Sequence, residues 1–204
     1  MRSASCPFIG FWLNISPPGN ENQTRTHDVL GIRIILISLL LYLFPTAACA
    51  EDGQIGLGIG TIAPNDSGNF NIVRASLSQP VEAIGYRGER WAVNTRGAMT
   101  LSALSNGSTN ATMGTLGPDF FIHRSDPGAR WFARTGLHPT LISRHSYDGK
   151  GMGGPFQFTS HLGAGRRFGV ANAVSLHFQH TSNAGLFNEN KGLDLLVLSL
   201  QWRL

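Results

Sequence analysis

The chain has 204 residues, and its 16 basic and 12 acidic side chains give a net charge of +4 at pH 7. The basic residues are spread along the chain rather than clustered, which argues against nucleic-acid binding. Both cysteines, Cys6 and Cys49, precede residue 51. A mature chain that begins at residue 51 therefore has no disulfide and no thiol chemistry.

A secretory signal peptide is predicted at 29–50. An apolar run at 34–44 leads to a small-residue cleavage site, Ala-Cys-Ala at 48–50. The run is too short for a membrane-spanning helix, which needs roughly 20 residues. Residues 1–28 are rich in proline, asparagine, threonine and serine and show no hydrophobic periodicity, so we interpret them as a disordered or non-native extension. The mature protein is then 51–204, a single domain of 154 residues.

The mature segment divides into short stretches in which apolar and polar residues alternate, and it shows no sustained helical period. Turn residues separate these stretches. Pro118 falls inside one of them, where a proline usually marks a bulge or a strand end. The glycine-rich segment 146–154 is predicted to be a long turn. Eight strands are predicted, at 55–62, 71–79, 91–104, 112–122, 130–142, 156–167, 174–182 and 192–204.

An even number of strands after a signal peptide, ending in an alternating strand at the chain terminus, is typical of outer-membrane barrels. The predicted fold is all-β, an eight-stranded antiparallel transmembrane outer-membrane β-barrel. A barrel of this size fills its interior with side chains and has no open channel. The tryptophans expected in the interfacial girdles are Trp91, Trp131 and Trp202. The polar residues expected to face the interior are Arg74, Asn94, Arg134, Gln157, His161, His177 and Gln179.

The last two strands carry polar residues on faces that are otherwise apolar. Because side chains alternate along a strand, His180 and Ser182 share a face with Val174, Leu176 and Phe178. Asp194 shares the leucine-rich face of the following strand. Antiparallel pairing of the two strands sets Asp194 opposite His180. A histidine that removes the proton of a serine, and that is held by a carboxylate through its other nitrogen, makes the serine an effective nucleophile.

The sequence H-T-S-N-A-G-L at 180–186 is followed by Asn190, Gly192 and an acid at 194. This stretch resembles the active-site hairpin of the PagL family of outer-membrane lipid A 3-O-deacylases, which are eight-stranded barrels. The resemblance is specific over 179–194. Over the rest of the mature chain it extends to length, strand count and strand pattern.

The resemblance assigns roles by position. It implies that His180 is the general base, Ser182 the nucleophile and Asp194 the third member of a Ser-His-Asp triad. The family enzyme used for comparison has glutamate at the third position, so the side chain here is shorter by one methylene. The resemblance also implies an oxyanion hole, formed by the backbone N–H groups of Asn183 and Gly185, and two supporting residues, Asn190 and Gly192.

The activity implied by the resemblance is a carboxylic ester hydrolase that releases a 3-hydroxy fatty acid from the proximal glucosamine of lipid A. Barrel termini of this type lie in the periplasm. The three residues are therefore expected near the outer leaflet of the cell outer membrane, where the ester bonds of lipopolysaccharide lie. Expected partners are lipopolysaccharide, which suits a mildly basic surface, and outer-membrane lipids. No cofactor, metal or nucleic acid is expected, and a homodimer is left open.

Two other barrels are alternatives. A non-enzymatic small barrel of the OmpA or OmpX type would serve anchoring or adhesion, but it gives no reason for His180 and Ser182 to face lipid. A periplasmic lipocalin-like barrel needs an inward apolar face, and the Leu- and Trp-rich last strand argues against it. Glu189 is the next candidate carboxylate if Asp194 is not the third member. The remaining histidines lack metal-site motifs and fit loop or interior hydrogen bonding better, namely His123, His138, His145, His161 and His177.

Overall fold

The structure is a computed structural model, and the extension predicted at 1–28 and the signal peptide predicted at 29–50 lie outside the residues it describes. Both stay predictions. Within the described part of the chain, no helix has the length and apolar character needed to cross a membrane. The described residues are 52–64, 66, 68–147, 150–169 and 172–204.

The described residues form ten strands: β1 (Gln54–Ile62), β2 (Asn71–Arg87), β3 (Trp91–Ser105), β4 (Asn110–Arg124), β5 (Trp131–Ile142), β6 (Ser146–Tyr147), β7 (Lys150–Gly151), β8 (Phe156–Phe168), β9 (Asn172–Ser182) and β10 (Leu193–Arg203). Strands β1 to β5 and β8 to β10 close into an antiparallel barrel, in which β10 pairs with β1. Strands β6 and β7 form a separate small hairpin. The prediction of an eight-stranded antiparallel barrel is confirmed.

The outer surface of the barrel is apolar. Along β10 the odd-numbered residues from Leu193 to Gln201 are buried, and the even-numbered ones are exposed or half-buried. Leu57, Leu101 and Leu162 on other strands are 59%, 65% and 66% exposed. An apolar surface that continues around a closed barrel suits lipid rather than water.

The interior of the barrel contains buried polar residues and a separate apolar cluster at one end. Six of the seven polar residues predicted to face it are buried, and only Asn94 is exposed. Asn94 is accessible because it lines an open cavity of about 720 Å³ at one end of the barrel. At this end β1 begins at Gln54 and β10 finishes at Arg203. The opposite end is closed by an apolar cluster that was not predicted, which includes Phe70, Leu104, Met113, Met152 and Leu195. This cluster lies under the turn that joins β9 to β10.

Pro118 lies in the middle of β4, inside the strand predicted at 112–122, and it marks neither a bulge nor a strand end there. The ladder between β4 and β5 stops at Thr115 and resumes at Asp119 in the same register. Pro139 of β5 falls in the same gap. Two residues that lack an N–H therefore share one interruption, so neither needs a register shift.

Two other predicted boundaries change. Strand β2 was predicted to end at residue 79 but continues to Arg87, with a register shift between Pro80 and Gly85. The proline cannot donate to the ladder, and pairing with β3 continues beyond the irregularity. The predicted long turn at 146–154 contains the β6–β7 hairpin, whose two residue pairs were too short to show as a sequence pattern.

Candidate active site

His180 and Ser182 belong to the outward-facing residues of β9. The buried residues of this strand have odd numbers, whereas Leu176 and Phe178 are exposed on the outer wall. His180 and Ser182 follow them on the same face and are half-buried. Two residues of extended chain separate the two candidates by about 6.6 Å along the strand.

Asp194 is the direct cross-strand partner of His180. Its Oδ1 lies 2.5 Å from His180 Nδ1. A carboxylate accepts hydrogen bonds only, so Nδ1–H donates and Nε2 is the nitrogen left to act as a base. Within the described residues, Ser182 makes no hydrogen bond to the imidazole. Such contacts commonly tighten only when substrate binds.

Gly192 leaves room for the imidazole of His180. Its φ is +61°, in the left-handed region. A Cβ at this position would lie 3.0 Å from His180 Cε1, which is tighter than ordinary van der Waals contact. Glycine at 192 therefore satisfies a backbone requirement and a steric one. The proposed supporting role of this residue has a direct physical basis.

The turn after β9 has an unusual backbone. Ala184 has φ +53° and Gly185 has φ +84°, and Leu186 N–H donates to Asn183 O at 3.0 Å. Two successive left-handed central residues are typical of a type I′ turn. Alanine in this region is strained, and such strain is concentrated at functional sites.

The two N–H groups expected to form the oxyanion hole already have acceptors. Asn183 N–H donates to Asn190 Oδ1 at 3.0 Å, and Gly185 N–H donates to Asn183 Oδ1 at 2.8 Å. Asn190 therefore contacts the expected oxyanion hole directly. In the structure both donors are occupied by side-chain amide oxygens of the turn itself.

A second loop holds this turn in place. The buried Asn183 side chain donates through Nδ2 to Met152 O at 2.9 Å and to Glu189 O at 2.6 Å. Gln157 is fully buried and donates through Nε2 to Met152 O at 3.0 Å and to Gly154 O at 2.6 Å. The residues joining β5 to β8 thus support the site, and sequence reasoning missed Met152 and Gln157.

Glycines make this contact close. A Cβ on Gly153 would lie 2.1 Å from Glu189 O, and one on Gly154 would lie 2.4 Å from the Phe187 ring. A Cβ on Gly151 would lie 1.9 Å from Glu189 Oε2. The Glu189 carboxylate therefore packs against the β6–β7 hairpin, whereas Asp194 contacts the imidazole. The glycine content of 146–154 was the one sequence signal for this packing.

Tyr147 anchors the same loop to the apolar cluster at this end of the barrel. Its ring packs edge-on against Phe70 with centroids 5.0 Å apart, and its hydroxyl donates to Arg144 O at 2.9 Å. Burial raises the pKa of Tyr147 to about 12, against an opposing effect of the Arg144 charge. The hydroxyl therefore stays neutral and remains a donor at physiological pH.

Asp66 and Lys150 also reach the site. Asp194 N–H donates to Asp66 Oδ2 at 2.8 Å, and Lys150 Nζ lies 2.5 Å from both carboxylate oxygens of Asp66. The two side chains are 84 residues apart in the chain. No local pattern could have brought them together, and sequence reasoning missed both.

A separate polar cluster fills the middle of the barrel. His138 Nε2 and His161 Nε2 each lie 3.1 Å from Asp119 Oδ1, and Arg134 lies 2.5 Å from Asp119 Oδ2. The two histidines and the carboxylate are of metal-ligating types. A divalent cation would, however, add to the positive charges of the buried Arg74 and Arg134. We therefore interpret the cluster as an interior network of ion pairs and hydrogen bonds.

Fold and site together define an outer-membrane-type β-barrel with serine, histidine and aspartate side chains on its lipid-facing wall. Such a combination fits the class of ester hydrolases that act at a membrane surface. The relatives of the chain agree with this class.

A family model described as lipid A 3-O-deacylase (PagL) matches residues 71–203. Lipid A deacylase PagL of Bordetella bronchiseptica (strain ATCC BAA-588 / NCTC 13252 / RB50) is 34% identical over 76 residues, which are 37% of this chain and 43% of that protein. The match thus spans less than half the length of that relative. The crystal structure of the outer membrane enzyme PagL superposes with a TM-score of 0.64 at 17% identity, covering 72% of this chain and 97% of that one. At this identity the superposition shows the fold.

The family match covers more than half of the chain. The chain belongs to the PagL family of lipid A 3-O-deacylases, which hydrolyse an ester bond, and its fold is a closed antiparallel β-barrel.

Proposed function

We propose that this chain is a lipid A 3-O-deacylase that hydrolyses the ester-linked 3-hydroxyacyl chain of lipopolysaccharide through Ser182, His180 and Asp194. The observation that carries the proposal is the 2.5 Å hydrogen bond from His180 to Asp194, two residues before Ser182, on an outer wall that is otherwise apolar. Polar groups that face lipid are costly and are retained mainly for function.

The height of the site on the barrel supports this substrate. The strand from Asp194 to Trp202 is about 26 Å long at roughly 3.3 Å per residue, and strand tilt shortens it to about 20 Å along the membrane normal. An apolar band of a barrel is about 25 Å tall. With Trp202 at the periplasmic interface, Asp194 lies within about 5 Å of the outer-leaflet boundary, near which acyl esters join the sugars of lipid A.

The hydrogen bond between His180 and Asp194 leaves His180 Nε2 as the base in the proposed reaction. Ser182 Oγ attacks the ester carbonyl carbon while His180 Nε2 takes the hydroxyl proton, and the carboxylate of Asp194 stabilises the imidazolium. Collapse of the tetrahedral intermediate breaks the bond to the sugar oxygen, which receives the proton from His180. Water then attacks the acyl-enzyme with His180 again as base. The products are a 3-hydroxy fatty acid and free Ser182.

The oxyanion would bind at the turn after β9. We propose the N–H groups of Asn183 and Gly185 as its donors. Their present acceptors, the amide oxygens of Asn190 and Asn183, are neutral. An oxyanion is a stronger acceptor than an amide oxygen, and it would displace them as negative charge develops.

The test is mass spectrometry of lipid A from cells that express the wild-type chain or Ser182→Ala. We expect wild-type lipid A to lose one 3-hydroxyacyl chain and Ser182→Ala lipid A to keep it, because loss of the nucleophile removes several orders of magnitude in rate. Ser199→Ala removes a hydroxyl from the buried face of the same hairpin and should behave as wild type. Equal deacylation by Ser182→Ala would refute the role of the serine. A folded wild-type barrel that leaves lipid A intact would favour the OmpA- or OmpX-type alternative.

A further inference from the structure

We propose that Asp66 and Lys150 form a positioning pair for Asp194, which fixes its backbone and sets the charge beside it. The inference rests on the proposed function, since it assigns these residues to the same triad. Neither residue contacts the reacting atoms. Both act through Asp194.

Asp66 supplies a hydrogen-bond acceptor to β10 just beyond the point where its pairing with β1 ends. Pairing between β1 and β10 ends at Ile62 and Leu195. Ala63 N–H then donates to Asp194 O at 2.9 Å, and Asp66 Oδ2 accepts Asp194 N–H at 2.8 Å. A side-chain carboxylate thus replaces the backbone acceptor that β1 no longer supplies. Both backbone polar groups of Asp194 are fixed on the side opposite His180.

Lys150 makes this arrangement stable. Its Nζ lies 2.5 Å from both oxygens of Asp66, and the two side chains are only 6% and 13% exposed. Nζ also lies 5.6 Å from the centroid of the Phe70 ring. Lys150 therefore offsets part of the cost of burying the Asp66 carboxylate, which also accepts the hydrogen bond from Asp194 N–H. The β6–β7 hairpin therefore delivers the charge that allows Asp66 to accept from Asp194.

The neutrality of the pair matters because the reaction makes an imidazolium at His180. Among the described residues, Asp194 on β10 contacts this histidine, and Asp66 before β2 and Lys150 on β7 are linked to it through Asp194. Glu189 and Lys191, in the turn after β9, lie against Gly151 of β7. The partner of His180 on β8 is the uncharged Ser160. The charges of Asp66 and Lys150 oppose each other, and Asp194 is the charged group in contact with the imidazole. Removal of one member of the pair shifts the local charge toward that of the other.

The test is the pH dependence of kcat/KM for 3-hydroxy fatty-acid release from lipopolysaccharide in detergent micelles. Lys150→Met leaves the negative charge of Asp66, which favours the imidazolium, so the acidic limb should move to higher pH by about 0.5 unit. Asp66→Asn keeps an oxygen acceptor for Asp194 N–H but leaves the positive charge of Lys150, so the limb should move to lower pH. The double variant should return to the wild-type position, and Lys150→Arg should stay there.

Arg203→Met is the matched control, because Arg203 pairs with Asp52 at the opposite end of β10. Its loss should leave the acidic limb of the pH profile where it is in the wild type. Shifts in the same direction for Lys150→Met and Asp66→Asn, or no shift in either, would overturn the proposal. If Lys150→Met does not fold into a heat-modifiable barrel, Asp66→Asn and the double variant still test the proposal. The acidic limb should then move to lower pH in Asp66→Asn and return to the wild-type position in the double variant. An inactive wild type would refute the proposed function. An active wild type with an inactive Ser182→Ala and an unshifted Asp66→Asn would refute only the positioning pair.

Discussion

At the scale of single residues, the reach of Asp194 is decided by strand register. A residue directly opposite on an antiparallel strand has its Cβ within about 5.5 Å, and Asp194 lies opposite His180. The short side chain therefore spans the gap, and Oδ1 approaches Nδ1 to 2.5 Å. The extra methylene of a glutamate is not needed for contact.

Substitutions at Asp194 separate charge from reach. Asp194→Asn keeps the shape but removes the charge and presents an N–H that favours the wrong imidazole tautomer, so we expect kcat to fall by on the order of 10³–10⁴. Asp194→Glu keeps the charge and should keep activity within about tenfold of wild type. Initial rates of 3-hydroxy fatty-acid release from lipopolysaccharide measure both. An Asp194→Asn enzyme with full activity would exclude the carboxylate from the triad.

Two glycine-to-alanine substitutions test whether the imidazole of His180 needs the space beside Gly192. Alanine there strains a backbone with φ +61° and places Cβ 3.0 Å from His180 Cε1. Gly107→Ala is the matched control, because φ is +92° but nothing lies within 4 Å of the added Cβ. Each substitution should destabilise the barrel by about 1 kcal/mol. Only Gly192→Ala should lower kcat, and equal rates in the two variants would argue against steric positioning of His180.

The residues that sequence could identify are those whose geometry is local. His180, Ser182 and Asp194 lie on two adjacent strands joined by one turn, so alternation and pairing fix their relation without any distant contact. Asp66 and Lys150 come from two other loops and meet only after the barrel has closed. Their ion pair has no periodicity or spacing that a sequence could display.

At the scale of elements, the β9–β10 turn depends on the loop that joins β5 to β8. Asn183 hydrogen-bonds the backbone of that loop through its side chain, and Gln157 holds the same Met152 carbonyl from inside the barrel. Lys191 N–H also donates to Gly151 O at 3.1 Å. Movement of one loop would therefore carry the other with it and would change the position of the proposed oxyanion donors.

Gln157→Leu tests this dependence. Leucine removes the Nε2 donor and leaves Met152 O with one partner fewer and Gly154 O without that bond. We expect a heat-modifiable barrel whose kcat is lowered about tenfold or more, because the loop under Asn183 loosens. Gln201→Leu replaces a buried glutamine at the other end of the barrel and should keep the wild-type rate. A similar loss in both variants would point to general destabilisation.

Element boundaries were predictable where alternation is unbroken and not where proline interrupts it. Residues 156–167 and 174–182 were placed nearly as observed because their faces alternate cleanly. Pro118 causes no bulge because it shares one ladder interruption with Pro139 on the next strand, and that arrangement is visible only once register is known. The continuation of β2 to Arg87 was missed, because the ladder shifts register between Pro80 and Gly85 before it resumes.

At the scale of the whole molecule, the two ends of the barrel differ in character. One end is closed by the apolar cluster and carries the candidate site, whereas the other holds the cavity of about 720 Å³ and the exposed Trp91 and Trp131. The polar turn that joins β3 to β4 lies at the closed end. Orientation in the membrane therefore decides whether the proposed triad meets the outer leaflet, and this is testable without measuring activity.

Cysteine labelling reads this orientation, because cleavage before Glu51 would leave a mature chain without cysteine. Ser108→Cys places a thiol on the exposed β3–β4 turn at the closed end, and Gly128→Cys places one on the exposed β4–β5 turn at the other end. In intact cells, a membrane-impermeant maleimide should label Ser108→Cys and not Gly128→Cys, and after permeabilisation it should label both. The parent protein should not react under either condition. Labelling of the parent would show that Cys6 or Cys49 is retained and refute the predicted cleavage. Labelling of Gly128→Cys alone in intact cells would place Ser182 at the periplasmic side and remove the proposed access to outer-leaflet lipid A.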